Sequence, residues 1–237
     1  MKKKAVCLLS GGLDSSVTAF LAKDQGYGVY ALSFRYGQRH AKELVCARKI
    51  ARAVGATDHI VFDVPLKRFG GSSLLASSPQ KIRDRSLKDV GSVIPATYVP
   101  ARNTVFLSLA LAYAETIDAD AIFIGANAVD YSGYPDCRPE YIAAFQTLAT
   151  LATRKGVQGK KVKIVAPLLR LSKAEIVRKG AKLQVPFEST WSCYRGGTKA
   201  CGRCDSCLLR LKGFQEAAVQ DSLDYATVPN WYTIASR

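Results

Sequence analysis

One segment near the start of the chain combines small residues with a single carboxylate. Ser10-Gly11-Gly12-Leu13-Asp14-Ser15-Ser16 follows a short apolar run and precedes a helical pattern. Backbone N–H groups at such a turn and at a helix N-terminus bind phosphate, and the small serine side chains leave room for the anion. A Walker loop would end in Gly-Lys-Ser/Thr, which is missing here, so a different phosphate-binding loop is indicated.

Asp14 is unexpected in a phosphate-binding loop. Its carboxylate repels a bound polyphosphate unless a divalent cation lies between the two groups. The sequence therefore predicts Mg²⁺ beside Asp14. A glycine turn in which Asp14 and the serines only cap a helix is the alternative interpretation.

Four cysteines lie close together in the C-terminal part of the chain. Cys193, Cys201, Cys204 and Cys207 have the spacing C-x7-C-x2-C-x2-C, with three glycines between the first and the last. Four thiolates suit tetrahedral Zn²⁺, and an ion with four protein ligands is structural rather than catalytic. An iron–sulfur cluster is the alternative, because the last three cysteines resemble a ferredoxin spacing, but the Cys-Pro ending is missing.

The composition limits the class of protein. The 237 residues include 34 basic and 19 acidic side chains, and the formal charge of +15 favours polyanionic partners such as nucleotides or RNA. The basic residues are spread along the whole chain, so a solvated surface explains them equally well. No apolar run is long enough for a membrane span or an export signal. We therefore expect a cytosolic protein without structural disulfides.

Short apolar runs alternate with longer helical patterns in the first part of the chain. This repeated order of strand and helix predicts an α/β fold with a parallel sheet flanked by helices. Asn103 is expected to cap the third helix. The predicted strands cover residues 5–9, 29–36, 60–64 and 121–125, and the predicted helices cover residues 15–24, 42–54, 103–117 and 208–218.

Two stretches interrupt the alternation of strands and helices. Residues 65–100 have little periodicity and are too long for a simple connection, so they are expected to form a lid-like insertion, with partial disorder as the alternative. The tail that contains the cysteines is expected to be a small appendage. We therefore predict an α/β domain over residues 1–184 and a zinc-binding segment over residues 185–237 packed on it.

A polar segment, residues 125–140, follows the fourth predicted strand. It leaves the carboxyl end of that strand, where open α/β sheets bind ligands. An ordinary turn-rich loop is the alternative. The candidate contacts are Asp130 and Asp136 for a guanine-like edge, Tyr131 and Tyr134 for stacking on a base, and Arg138 for a carboxylate.

The loop SGGLDS resembles the pyrophosphate loop of the ATP-pyrophosphatase superfamily. The resemblance implies a HUP-type, Rossmann-like fold, the transfer of AMP from ATP to a substrate oxygen, and Lys173 as a second phosphate contact. Ser172 is independently expected to cap a helix, which puts Lys173 in a first turn where a cation needs a nearby anion. The implied ATP-binding residues are Leu8, Leu9, Ser10, Gly11, Gly12, Leu13, Asp14, Ser15, Ser16, Val17 and Thr18.

Motifs along nearly the whole chain resemble the 7-cyano-7-deazaguanine synthase family. They are Val99-Pro100-Ala101-Arg102-Asn103, residues 130–140, Thr190-Trp191-Ser192-Cys193 and the cysteine run. The resemblance implies a carbon–nitrogen ligase of queuosine and 7-deazapurine biosynthesis, which converts 7-carboxy-7-deazaguanine and ammonia to the nitrile. The implied intermediates are an adenylated carboxylate and an adenylated amide. Mg²⁺, zinc at the cysteines and a homodimer are also implied.

The resemblance assigns roles to individual side chains. Asp14, Lys173 and Arg102 are expected to act in catalysis by neutralising charge. The expected substrate-binding residues are Asn103, Asn127, Asp130, Tyr131, Asp136 and Arg138. Cys137 is expected to be a half-buried thiol without a catalytic role.

Two other functions remain open at this point. A member of the same superfamily that adenylates a tRNA base would use the positive charge directly, but only about thirty residues follow Cys207, where an additional RNA-binding domain is expected. A zinc-ribbon protein that binds nucleic acid and senses nucleotides is the third hypothesis. We expect small-molecule substrates and no nucleic-acid partner.

Overall fold

A parallel sheet forms the centre of the computed structural model, which describes residues 2–39, 42–87, 94–129 and 134–233. The sheet has five strands in the order β3-β2-β1-β4-β5. This is the strand order of a Rossmann-like sheet with the first strand at its centre, so the predicted fold class is confirmed. The strands are β1 (Lys4–Leu8), β2 (Gly28–Arg35), β3 (Asp58–Asp63), β4 (Ala121–Phe123) and β5 (Lys163–Val165).

Helices cover both faces of the sheet. The predicted helices correspond to α1, α2, α3, α6 and α7, whereas β5, α4 and α5 were not predicted. Among the described residues, no helix is both long and apolar enough to cross a bilayer. The helices are α1 (Leu13–Asp24), α2 (Lys42–Val54), α3 (Arg102–Thr116), α4 (Pro139–Leu151), α5 (Arg154–Val157), α6 (Lys173–Lys182) and α7 (Asp205–Glu216).

Successive side chains of β1 enter two separate hydrophobic cores. Val6 and Leu8 pack with side chains of α3 and α4 on one face of the sheet. Ala5 and Cys7 pack with side chains of α1 and α2 on the other face. Because neighbouring residues of a strand point to opposite faces, a strand without polar alternation must be covered on both sides. Both layers of helices hold the end of β1, and therefore the loop that follows it.

The start of α3 differs from the prediction. Asn103 does not cap this helix, because the helix already begins at Arg102 and Ala101 occupies the cap position with φ of 51°. The Asp136 carboxylate accepts a hydrogen bond from the Asn103 backbone N–H at 3.0 Å. A carboxylate from another loop is a stronger acceptor than a neutral side chain, and it also interacts favourably with the helix dipole. Asp136 therefore serves as the cap from a distant part of the chain.

The insertion of residues 65–100 contacts the rest of the fold through Arg39. Its guanidinium donates hydrogen bonds to the carbonyl oxygens of Ser73, Ser78 and Gln80 at 2.7, 2.8 and 2.6 Å. Leu75 of the insertion is fully buried in the same core as α3. This part of the insertion is held by hydrogen bonds and by apolar packing, and its movement as a lid stays a prediction.

A second set of contacts joins the insertion to the cysteine-bearing segment. Arg195 donates a hydrogen bond to the carbonyl oxygen of Ile82 at 2.8 Å. Arg85 forms a salt bridge with Asp205 at 3.2 Å. Residues 82–85 therefore pack against the loop and the helix that carry the cysteines.

The chain after residue 184 packs on the α/β layers through a shared apolar cluster. Phe187 and Phe214 lie in one cluster with Leu13 and Val17 of α1. The rings of Phe187 and Phe214 meet edge to face, with their centroids 5.0 Å apart. The boundary between residues 184 and 185 stays a prediction, and this cluster brings α7 against α1 and α6.

We predict opposite stability effects for two Ala→Gly substitutions around α3. Ala101 has φ of 51°, a left-handed conformation that costs a non-glycine residue roughly 1–2 kcal/mol. Glycine removes that strain but raises the entropy of the unfolded chain by about 0.4–1 kcal/mol, so Ala101→Gly should stabilise the fold by about 0.5–1 kcal/mol. Ala112→Gly, at an exposed position inside α3, should destabilise it by about 1 kcal/mol.

Urea denaturation of the two variants and the parent protein measures the difference. Equal losses of unfolding free energy in both variants would show that the conformation of Ala101 is not strained.

Candidate active site

A cleft opens at the carboxyl ends of β1, β2 and β4. It is lined by the loop after β1, by the segment after β2, and by the first turns of α2 and α3. Loops that follow adjacent parallel strands meet at this edge of a sheet, which is the usual place for a ligand in an open α/β fold. Trp191, Ser192 and Arg210 from the C-terminal segment complete its wall.

The loop after β1 has the shape of an anion-binding turn. Gly11 has φ of +82°, and a Cβ atom at this position would overlap the Glu43 carbonyl oxygen and lie 2.5 Å from the Ala47 backbone nitrogen. Glycine is therefore required where the loop passes α2. The Ser16 hydroxyl donates to the Gly12 carbonyl oxygen at 2.7 Å, and the Ser10 and Ser15 hydroxyls form a hydrogen bond at 3.0 Å. These hydroxyls fix the loop, which leaves backbone N–H groups as its main donors for phosphate.

The predicted ATP-binding residues fall into two groups. The cleft is lined by Leu8, Leu9, Ser10, Gly12, Leu13, Asp14 and Ser15, whereas Gly11, Ser16, Val17 and Thr18 do not line it. Val17 and Thr18 are fully buried on the inner side of α1. These two side chains would therefore affect a bound nucleotide only by holding α1 in place.

Lys173 and Asp14 form an ion pair at the mouth of the loop. The Lys173 Nζ atom lies 2.9 Å from both carboxylate oxygens of Asp14. Ser172 caps α6, since its hydroxyl accepts a hydrogen bond from the Glu175 N–H while the Glu175 carboxylate accepts one from the Ser172 N–H. The predicted cap is confirmed, and Asp14 is the anion that a cation in this first turn requires.

A glycine of α7 makes the position of Lys173 possible. A Cβ atom on Gly213 would overlap the Lys173 Cγ atom and lie 2.8 Å from its Cβ atom. Lys173 is only 6% exposed, so its aliphatic stem passes between helices α6 and α7 to reach Asp14. The helix that carries Cys207 therefore forms part of the channel for this lysine.

The other side of the cleft is aromatic and contains Arg102. The rings of Phe34 and Phe106 stack with centroids 3.9 Å apart, and the Arg102 guanidinium lies 5.8 Å from the centre of the Tyr36 ring. Burial raises the pKa of Tyr36 to about 12, so its hydroxyl stays protonated. Flat apolar walls next to a guanidinium suit a planar ligand that carries an acidic group.

Of the predicted substrate-binding residues that the structure describes, two line the cleft and two do not. Asn103 and Asn127 line the cleft, and the Asn127 side chain donates hydrogen bonds to the carbonyl oxygens of Leu168 and Leu171 ahead of α6. Asp136 is buried at the start of α3 and Arg138 is exposed, so neither lines the cleft. Asp130 and Tyr131 lie outside the described residues.

Cys137 borders the cleft as a protonated thiol. Burial raises its pKa to about 12, the charge of Asp136 adds to this effect, and Arg102 opposes it. The Asn103 side-chain amide lies within hydrogen-bond distance of the Cys137 sulfur, at 3.3 Å. A thiol that ionises so weakly is a poor nucleophile, which agrees with the expectation that Cys137 has no catalytic role.

Sequence analysis missed several side chains of the cleft. Tyr36, Arg39 and Glu43 follow β2, whose carboxyl end lies beside that of β1. Open α/β sheets bind ligands at the carboxyl ends of their strands, so the position of this segment after β2 indicates that it belongs to the site. Burial raises the pKa of the Glu43 carboxyl to about 7, while Arg102 lowers it and the charge of Cys193 raises it. Arg210 enters from the C-terminal segment, and no local pattern indicates it.

The four cysteines form a compact, buried cluster that could hold a metal ion. Their sulfur atoms all lie within 4.8 Å of one another, and the Cys201 and Cys207 sulfurs are 3.9 Å apart. A tetrahedral zinc ion with bonds of about 2.3 Å needs sulfurs roughly 3.8 Å apart. The Cys193 sulfur also accepts hydrogen bonds from the backbone N–H groups of Arg195 and Cys201 at 3.4 and 3.3 Å. Such bonds stabilise metal-bound thiolates, so the donor set fits zinc.

The cysteine site is connected directly to the phosphate loop. The Trp191 backbone N–H donates to the Gly11 carbonyl oxygen at 2.8 Å, and its indole N–H donates to the Cys193 carbonyl oxygen at 2.9 Å. Lys42 lies 3.5 Å above the Trp191 ring. Removal of a metal from the cysteines would therefore disturb the loop as well.

Buried charges hold the C-terminal segment in place. Arg210 forms a salt bridge with Asp221 at 2.7 Å and donates to the hydroxyls of Thr190 and Ser192 at 2.7 and 3.2 Å. Both charged side chains are almost fully buried. The removal of one partner would leave the other charge buried and unpaired, at a cost of about 3–5 kcal/mol.

Comparison with known proteins gives matches over nearly the whole chain. The family model described as queuosine biosynthesis protein QueC matches residues 4–218. A protein named 7-cyano-7-deazaguanine synthase from Citrifermentans bemidjiense is 55% identical over 227 residues, which is 95% of this chain and 99% of the relative. A protein of the same name from Thermosynechococcus vestitus is 54% identical, and the match covers 96% of this chain and 97% of the relative. Another from Thermoplasma acidophilum is 53% identical, and the match covers 98% of this chain and 95% of the relative.

We predict that the purified protein contains about one zinc ion per chain, because the four thiolates provide a complete tetrahedral site. Cys204→Ser should lose the metal and lower the melting temperature. Cys7→Ala removes a thiol from the sheet core instead, and should keep the metal despite a small loss of stability. Elemental analysis and thermal denaturation measure both effects. Iron in place of zinc, or full zinc content in Cys204→Ser, would contradict the assignment.

Proposed function

The chain belongs to the family of the queuosine biosynthesis protein QueC, and from this premise we propose that it converts 7-carboxy-7-deazaguanine, ammonia and ATP into 7-cyano-7-deazaguanine. The observation that carries the proposal is the full-length similarity to enzymes of that name. The cleft supports it, since a phosphate loop, an ion pair and an aromatic wall with a guanidinium all face the same space. The same similarity favours a small-molecule substrate over an RNA base.

The reaction requires two activation steps, first of a carboxylate oxygen of the substrate and then of the amide oxygen. Neither a carboxylate nor an amide has an oxygen that leaves readily. In the first half, the substrate carboxylate attacks the α-phosphorus of ATP, pyrophosphate leaves, and ammonia then displaces AMP to give an amide. In the second half, the amide oxygen attacks the α-phosphorus of a second ATP and pyrophosphate leaves. Loss of AMP and of the amide protons then forms the nitrile.

The phosphate loop and Lys173 are proposed to hold the pyrophosphate portion of ATP. The loop offers backbone N–H groups at the N-terminus of α1, and Lys173 supplies a positive charge beside them. Asp14 is a partly exposed carboxylate at the same place. It would hold Mg²⁺ together with phosphate oxygens, and the ion would supply charge neutralisation.

Arg102 is proposed to bind the substrate carboxylate. It lies at the first residue of α3, where the helix dipole also favours an anion. The stacked pair of Phe34 and Phe106 and the ring of Tyr36 offer apolar surfaces for the deazapurine ring. These contacts position the carboxylate for attack, and the scheme needs no side-chain nucleophile.

We further propose a homodimer that works in the cytosol. Leu151 of α4 and Val157 of α5 are 75% and 80% exposed, and such apolar surface is often covered in an oligomer. The cytosol is supported by four unpaired cysteines that must stay reduced to bind a metal.

The proposed activity is tested by incubation with 7-carboxy-7-deazaguanine, ammonium and Mg·ATP. Mass spectrometry should detect the nitrile and AMP. Asp14→Asn should lower turnover roughly 100- to 1,000-fold, the usual loss when one charge-stabilising group is removed. Asp24→Asn, at the exposed C-terminal end of the same helix, should be as active as the parent. AMP release that requires tRNA would reverse the substrate assignment.

We also predict that Gly213→Ala lowers activity although it changes no residue of the cleft. Alanine in a helix is normally more stable than glycine by about 1 kcal/mol, but here its Cβ would push the Lys173 stem away from Asp14. A displacement of about 1 Å can cost roughly 100-fold in rate. Lys212→Ala, an exposed change on the same helix, is the matched control. Full activity in Gly213→Ala would mean that Lys173 does not need this channel.

A further inference from the structure

The described side chains of the cleft provide more positive than negative charge. Its basic residues are Arg39, Arg102, Lys173 and Arg210, and its acidic residues are Asp14 and Glu43. This excess suits ATP and a substrate carboxylate. It opposes the approach of an ammonium ion, which is the main form of ammonia at neutral pH.

Among the described residues, two of these basic side chains have carboxylate partners and two do not. Lys173 is paired with Asp14, and Arg210 is paired with Asp221. Arg39 donates hydrogen bonds to carbonyl oxygens, and no carboxylate in the described ranges forms a salt bridge with it. Arg102 forms no salt bridge with any carboxylate in the described part of the chain.

Glu43 is the acidic group of the cleft that remains. It lies in the first turn of α2, beside the phosphate loop, where its own carbonyl oxygen contacts Gly11. Within residues 2–39, 42–87, 94–129 and 134–233, no donor forms a hydrogen bond or a salt bridge with its carboxylate. An acid that lines a cleft without such a partner is held in place to interact with a ligand.

Resting on the proposed function, we propose that Glu43 binds the ammonium ion and takes one proton from it, so that neutral ammonia attacks the adenylated carboxyl carbon. Glu43 meets both requirements of that role. It is an acidic group next to the loop where the acyl adenylate forms, and no described residue donates a hydrogen bond to its carboxylate. A cation attracted to Glu43 would lie between the phosphate loop and Arg102, which binds the other end of the reacting group.

The proton and electron balance of this step is complete. One N–H bond of ammonium breaks, and its proton forms an O–H bond on the Glu43 carboxylate. The nitrogen lone pair forms the new bond to the carboxyl carbon, and the C–O bond to AMP breaks with its electron pair on the AMP phosphate. The tetrahedral adduct releases a second proton to water, and Glu43 returns its proton to solvent after AMP leaves.

The test separates adenylation from the use of ammonia. Substrate-dependent exchange of pyrophosphate into ATP measures adenylation, and formation of the amide and the nitrile at varied ammonium measures the second step. In Glu43→Gln, kcat/KM for ammonium should fall roughly 100- to 10,000-fold, the range for loss of a general base, while exchange changes less than about threefold. Hydroxylamine, which is largely neutral at pH 7, should still give hydroxamate.

Two further variants complete the experiment. Glu43→Asp keeps the charge on a shorter side chain and should recover part of the ammonium dependence, which excludes simple misfolding of Glu43→Gln. Glu140→Gln removes an exposed acid from the first turn of α4 and should match the parent.

The outcomes also distinguish this inference from the proposed function. If Glu43→Gln keeps the parent kcat/KM for ammonium, or loses exchange as strongly as nitrile formation, Glu43 does not serve ammonia. If the parent enzyme itself makes neither amide nor nitrile, the proposed function fails and this inference fails with it.

Discussion

The ion pair between Lys173 and Asp14 joins three parts of the chain that are far apart in sequence. Asp14 belongs to the loop after the central strand, Lys173 begins α6, and Gly213 of α7 leaves the space through which the lysine passes. A buried ammonium group needs a partner, because an unpaired charge in a protein interior is costly. The relative positions of α1, α6 and α7 are therefore fixed by the requirement that these two groups meet.

The C-terminal segment also forms a wall of the cleft. Trp191 bonds to the phosphate loop, Arg210 holds the chain around Trp191, and Arg195 contacts the insertion. A structural metal at the four cysteines would stabilise all of these contacts together. Zinc in this position would support catalysis without any contact with the substrate.

Local patterns in the sequence were sufficient for part of this description. The glycine turn after β1, the four-cysteine cluster and the cap at Ser172 each depend on residues close together in the chain, and the structure contains all three. The cap of α3 was assigned wrongly to Asn103 because the true acceptor, Asp136, comes from another loop. The roles of Glu43 and Gly213 likewise depend on contacts between distant segments, which spacing alone does not encode.

The hydrogen bond from Trp191 to Gly11 has a consequence for biosynthesis of the chain. Gly11 is synthesised about 180 residues before Trp191, the difference between their positions 191 and 11. Domains generally begin to fold from the N-terminal side during synthesis, so the α/β layers precede the segment that braces their loop. A nascent chain that has not yet reached Trp191 would therefore lack the contact that holds the loop after β1 in place.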